Sequence, residues 1–361
     1  MLLELADWIQ SHFVPERNRN RRRRSRRERG FSLLWVPVIL IGLVALIRYI
    51  LGNLFAELEI FFELQVVRIA LILPALVLLA LALIRKRLVQ GGVTLAILVL
   101  LVGEMLYYVS FLPQLPRSPH ARADLRVFTQ NVGMNPPDKW RTWLEENPMD
   151  LLMLEEVYAP SRKDWESLAA DLGYYHHWEM VRSDAGMGGM IISRYPLIAM
   201  DPISGVSANN KKRYFLRAQI DLDGVPVELI GVHLESFYVD RMTGDRNWFD
   251  SSPVRQQQAY VLGEVIKVII EHTGNPIIVA GDFNASPIFR SVADLRAPLK
   301  DAWIQAGSGL GGTFPVAFPM ERIDAILFHG FVAVNASVTS VEASDHLGVT
   351  AVLNLLPEEI Q

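Results

Sequence analysis

The chain contains no cysteine. That excludes disulfides, thiolate nucleophiles and zinc–thiolate sites, and it removes redox state as a guide to compartment. Basic residues are scarce over residues 121–361, where 20 Lys and Arg face 31 Asp and Glu, a balance of −11. Nucleic-acid backbones are held mostly by Lys and Arg, so so acidic a segment is a poor general polyanion binder. Bound divalent cations offset charge locally, so this lowers a nuclease reading without excluding it. Repeats and low-complexity tracts are also missing from this half.

What the chain has in excess is apolar residues, and they are unevenly placed. Its 361 residues are 51% hydrophobic, yet 121–361 reads as an ordinary soluble segment large enough for one core. The surplus lies in runs at 33–51, 64–84 and 92–112. Each is about 20 residues, or about 30 Å as a helix, which is the thickness of a bilayer core. Ahead of them stands RNRNRRRRSRRERG, residues 17–30, with nine arginines. Met1–Pro15 before it places Leu2, Leu5, Ile9 and Phe13 near helical spacing, as in an interfacial or a core-facing helix. The arginine block and Arg85-Lys86-Arg87 mark the cytoplasmic side, and the loop 52–63 carries Glu57, Glu59 and Glu63 with no base. The sequence therefore predicts a basic cytoplasmic segment 1–30, a membrane domain 31–112 with three transmembrane helices, a linker 113–120, and an extracytoplasmic domain 121–361. Glu104 and Arg68 fall inside the apolar runs, where they would pair or turn toward neighbouring helices and the interface.

From Leu125 strands alternate with helices. Strands are expected at 125–131, 150–157, 189–196, 212–222, 225–236, 276–280 and 321–330, with a last one inside 343–355. Helices are expected at 138–147, 161–172 and 253–271, the last opened by Ser252-Pro253. Asp223-Gly224 reads as a hairpin turn. The chemistry-bearing residues sit where apolar runs end: Asn131, Glu156, His233, Asp282, Asn284, Asp324, Asp345 and His346. Singly each has an ordinary structural reading, such as a turn residue or a satisfied core histidine. Together they form a reacting set: Asn131, Glu156 and Asp345 as oxygen ligands for Mg²⁺ or Mn²⁺, and His233 and His346 as donors or proton shuttles.

In order, the strings FTQN, LMLEEV, VHLES, VAGDFN, RIDAILF and SDH resemble the motif series of the endonuclease/exonuclease/phosphatase superfamily. The resemblance spans about 121–356 and leaves the apolar N-terminal part to hydropathy alone. It implies a four-layer α/β sandwich, two packed mixed sheets flanked by helices, and a metal-dependent phosphoesterase acting on a lipid-linked, small-molecule or nucleic-acid substrate. Glu156 then looks like the principal metal ligand, with Asn131 and Asp345 beside it. Asp282 looks like the residue that orients or deprotonates water, Asn284 like a donor to phosphoryl oxygens, and Asp324 like the acid that holds His346. His233 looks like a phosphate or leaving-group contact. The family usually has Gln where Glu155 stands, and along a regular strand Glu155 and Glu156 cannot both face one site. Met187, Met190, Trp248, Phe249 and Phe318 could rim an apolar substrate or be ordinary packing. A catalytically silent binding module on the same fold is the competing class.

Overall fold

The computed structural model of the chain describes residues 35–47, 50, 65–108, 124–182, 186–206, 212–236, 248–287, 289–341 and 344–357. The arginine block, the loop 52–63 and the linker 113–120 lie outside them. The chain divides into two units, Met1–Arg48 with Ile69–Gly103, and Tyr49–Arg68 with Glu104–Gln361.

Toward the N-terminus, residues 35–47 are helical, and further helices run over Gln65–Ile84 and Leu88–Tyr108. Lys86, at φ +54°, lies in the turn between the last two. The third helix thus starts ahead of the apolar run read at 92–112. Leu73, Leu76, Leu83, Val99 and Leu100 are exposed on these helices. Side chains are described over 70–84 and 88–103, and among the described residues no helix is long and apolar enough to cross a membrane. The expected three spans gain no support from them.

The second unit is built on two six-stranded mixed sheets. One has the order β11-β12-β1-β2-β4-β3, from β1 (Asp124–Asn131), β2 (Leu151–Tyr158), β3 (Tyr175–Arg182), β4 (Met187–Ser193), β11 (Phe331–Thr339) and β12 (Gly348–Leu355). The other runs β5-β6-β7-β8-β10-β9, from β5 (Ile203–Val206), β6 (Lys212–Leu222), β7 (Val225–His233), β8 (Ile277–Asp282), β9 (Lys300–Asp301) and β10 (Asp324–His329). Strand alternation decides the layers. Val127, Met153, Leu229, Ile278, Ile326 and Phe328 point inward and join one buried cluster drawn from both sheets. Phe128, Leu152, Leu154 and Ile192 point outward, where Trp140, Leu144, Trp165 and Leu168 of helices Trp140–Glu146 and Arg162–Asp171 cover them. On the far side Ile230, Val232, Ile277 and Val279 pack under Ala259, Leu262 and Ile266 of helix Trp248–Thr273. Helix, sheet, sheet and helix make the four expected layers.

β6 and β7 pair antiparallel through Asp223 and Gly224, both at positive φ, as the Asp-Gly turn predicts. Helix 248–273 begins ahead of Pro253, which lies inside it. Gly281 is obligatory. At φ +148° in β8, a Cβ there would lie 1.9 Å from the Val232 carbonyl oxygen of β7.

Candidate active site

The alternation that builds the inner core also builds the site. In β1 the inward series Leu125, Val127 and Thr129 ends at Asn131; in β2 the series Leu151 and Met153 ends at Glu155. β7 and β8 end inward at His233 and Asp282, and antiparallel β10 begins inward at Asp324, directly across from Asp282. Polar groups from both sheets therefore meet between the layers at one end of the sandwich.

Asp282 is fixed from two sides. Its Oδ2 accepts from Asn131 Nδ2 at 3.1 Å, and its Oδ1 accepts from the Asn284 backbone N–H at 2.7 Å. Burial, with Asp324 adding to it, pushes its pKa up to about 7 against the opposing pull of His346 and these hydrogen bonds. Asp324 faces His346 Nδ1 at 2.9 and 3.2 Å. Burial pulls the His346 imidazolium down, but the carboxylates of Asp324 and Asp282 outweigh it and hold His346 at about 10. Its Nε2 lies 3.9 Å from Asp282 Oδ2, and the Phe314 ring packs against it at 4.9 Å. Asp282, Asp324 and His346 offer ligand atoms within 4.8 Å of one another, close enough to share an ion. A charged imidazolium donates rather than ligates, however, so metal-free His346 belongs with Asp324 as a dyad.

Glu156 would point outward if β2 stayed regular. Instead it sits at φ +57°, and the β2–β4 register shifts between Leu154 and Val157. This bulge breaks the alternation. Glu156 Oε1 comes to 3.7 Å from His233 Nε2, which is also 3.8 Å from Asp282 Oδ2. Burial raises the Glu156 carboxyl. Glu155, expected to turn away, keeps the inward position: it is buried, its Oε1 accepts from Thr129 Oγ1 at 3.1 Å, and its Oε2 has no hydrogen-bond partner. Burial first, then Asp324 and Asp282, raise its pKa well above the carboxylate range. His233 moves the other way, held neutral by burial and by the charges of Arg213 and Arg182.

The loops are stitched to this centre. Gly133 N–H donates to Asn131 Oδ1 at 2.9 Å, and Met134 N–H to the Glu156 carbonyl at 3.1 Å. Ser344 Oγ donates to the Asn131 carbonyl and accepts from the His346 N–H at 3.0 Å. Asp345 is exposed, and its Oδ1 lies 3.8 Å from where a Cβ at Gly133 would stand. Asn284 takes φ +47° and donates its side-chain Nδ2 to the Leu234 carbonyl at 3.1 Å. All eight residues singled out from the sequence belong to this one end of the sandwich.

The supporting groups were not legible in the sequence. Arg213 and Arg255 are fully buried: Arg213 donates to the His233 carbonyl at 2.9 Å, Arg255 to the Glu235 carbonyl at 2.8 Å. Gln258 Oε1 accepts from the Glu235 N–H at 2.8 Å, and Thr313 Oγ1 accepts from the Asp324 N–H at 3.2 Å. Arginine is seldom so buried, and the one trace that could have marked these groups is the three-residue spacing of Arg255 and Gln258 on one helix face.

Residues 128–346 match the Endonuclease/Exonuclease/phosphatase family, and the chain belongs to it. It is a hydrolase acting on phosphoester bonds, in a family that depends on divalent metal. Among solved structures, an endonuclease/exonuclease/phosphatase from Bacteroides vulgatus is 18% identical, with a TM-score of 0.53 over 65% of this chain and 100% of that one. TDP2 from C. elegans is 16% identical, with a TM-score of 0.51 over 66% and 77%. An endonuclease/exonuclease/phosphatase family protein from Bacteroides thetaiotaomicron is 17% identical, with a TM-score of 0.51 over 66% and 98%. At such identities the likeness is one of fold. A search of curated proteins finds none that matches.

Proposed function

We propose that this protein is a membrane-anchored phosphoesterase that uses Mg²⁺ or Mn²⁺ to hydrolyse a phosphodiester or phosphomonoester by in-line attack of water. The observation that carries the reading is the crowding of acids between the sheets. Asp324 and Asp282 both oppose ionisation of Glu155, Asp324 opposes that of Asp282, and Glu156 stands beside them. Oxygen donors set this close suit a hard cation. Glu156, Asn131 and Asp345 would hold it, Asn131 through the lone pair of Oδ1 that Gly133 leaves open. When bound, the ion supplies charge for the phosphoryl oxygens and acidifies water.

The chain's own groups divide the remaining work. Asp282, oriented by Asn131 and Asn284 and titrating near neutrality, takes the proton of the attacking water. His346, kept charged by Asp324, donates Nε2–H to the phosphoryl group as negative charge grows on it. Asn284 uses one Nδ2 hydrogen on Leu234, and its second is the donor for a phosphoryl oxygen. His233 contacts the phosphate or the leaving group. A small or lipid-linked ester is favoured over long duplex DNA by the −11 balance of residues 121–361.

Two observations support the anchor. The arginine block and residues 85–87 are placed as cytoplasmic flanks would be, and apolar side chains such as Leu76 and Leu100 stand exposed on the N-terminal helices. The catalytic unit is then extracytoplasmic. The test is turnover by the purified full chain of nucleic acid, phospholipid, sphingomyelin and inositol phosphates, with Mg²⁺ and with chelator. Chelator should abolish activity; hydrolysis indifferent to it, or none with any substrate, overturns the reading. A reporter fused after Leu112 should be active only outside the cytoplasm, and cytoplasmic activity there would sink the topology.

A further inference from the structure

The loops that hold Asp345 and Glu156 carry exposed apolar side chains at their outer side. Loop 314–319 starts with Phe314 against the His346 ring, continues with Val316, whose N–H donates to the Asp345 carbonyl at 2.8 Å, and reaches Phe318, which is 67% exposed. Across Asp345 lies Gly133, whose missing Cβ would meet Ser344 and Asp345, and next to it Met134, exposed and tied by its N–H to the Glu156 carbonyl. Two apolar stretches thus flank one acidic residue, each anchored through backbone to a proposed metal ligand. Of the residues first considered for such a rim, Met190 is core and Phe318 is exposed; the side chains of Trp248 and Phe249 lie outside the described residues.

Met134, Val316 and Phe318 beside a polar centre offer apolar surface that gains by being covered. What comes to this centre is the substrate. We propose that the phosphoester taken here carries an apolar group next to the scissile bond, seated on Met134, Val316 and Phe318 while its phosphoryl group meets the acidic centre. This rests on the phosphoesterase reading and narrows it to amphiphilic esters. A nucleic-acid strand, charged at every repeat, would instead need cations along the same rim, and none of the three side chains supplies one.

The test uses the full chain in lipid nanodiscs, free of detergent, with Mg²⁺ and two 4-nitrophenyl phosphodiesters, one methyl and one octyl. Each buried methylene is worth about a factor of four, so two of them should raise kcat/KM for the octyl ester at least about tenfold, chiefly through KM. In Val316→Ser/Phe318→Ser that ratio should fall below about threefold. Calorimetric binding of octylphosphonate against methylphosphonate reads the same preference without turnover. Equal affinities, or a ratio near one for the wild type, overturn the rim even if both esters are hydrolysed. Failure to hydrolyse either ester, with octylphosphonate still bound the tighter, counts against the phosphoesterase reading and leaves the rim standing.

Discussion

At the scale of single residues, the two adjacent glutamates separate cleanly. Glu155 stands where the motif it resembles carries Gln, and burial, with Asp324 and Asp282 beside it, raises its carboxyl well above its ordinary pKa, toward the neutral form. Glu155→Gln should therefore keep most activity. Glu156→Gln removes the negative charge of the proposed ligand, and on that assignment Mg²⁺ affinity and rate should fall together, by about 100-fold or more. Mg²⁺ titrations of turnover for both folded variants check this; a dead Glu155→Gln with a metal-activated Glu156→Gln would move the ligand one residue back. The dyad makes a second prediction. His346 is raised to about 10, so its contribution to stability is complete below the ordinary histidine pKa and drains away as pH rises through 10. Asp282, raised to about 7, acts in the same direction, its protonated form favouring the fold and that benefit being lost between the ordinary carboxylate range and 7. In excess chelator the melting temperature should fall steadily from pH 6.5 to 10, and Asp324→Asn should flatten the fall. A wild-type melting temperature that is level or rising over that window would rule out the charged dyad. At saturating Mg²⁺, Asp324→Asn should also lower kcat about tenfold or more, since it removes the acid that orients His346.

At the scale of elements, the site depends on where strands end and where one of them breaks. Gly281 lets β8 run close beside β7; Gly281→Ala drives a Cβ into the Val232 carbonyl and should cost about 3 kcal/mol. Gly274→Ala, at φ +64° with open space around it, should cost only about 1 kcal/mol. Urea unfolding of both variants decides this, and equal losses would place the cause in backbone conformation rather than in the clash. The strands that end in Asn131, His233 and Asp282 could be read from β-branched or apolar runs stopped by polar residues. β3, with the sequence YHHWEMVR, could not, because His176, His177 and Glu179 disguise a strand lying at a sheet edge. Nor could the bulge at Glu156. Strict alternation placed one glutamate inward and the other outward, and only the left-handed backbone of Glu156 lets both approach the same centre.

At the scale of the whole molecule, the acidity of the α/β unit makes a claim about substrates: cleavage of duplex DNA should be weak beside that of amphiphilic esters, and a steep loss of DNA cleavage between 50 and 200 mM salt, without ester turnover, would reverse it. The division of the chain between sheets has a further consequence. β5–β10 are successive in sequence and lie in one sheet, whereas the other joins β1–β4 to β11 and β12 from further along the chain. β1, which carries Asn131, is held between β2 and β12. On the ribosome, then, β5–β10 can complete their sheet as they emerge and β1–β4 can pair among themselves, while β1 gains its second neighbour only when β12 arrives. Closure of the centre therefore follows the synthesis of β12, and a chain cut short before Gly348 would leave the strand that carries Asn131 with one flank unpaired.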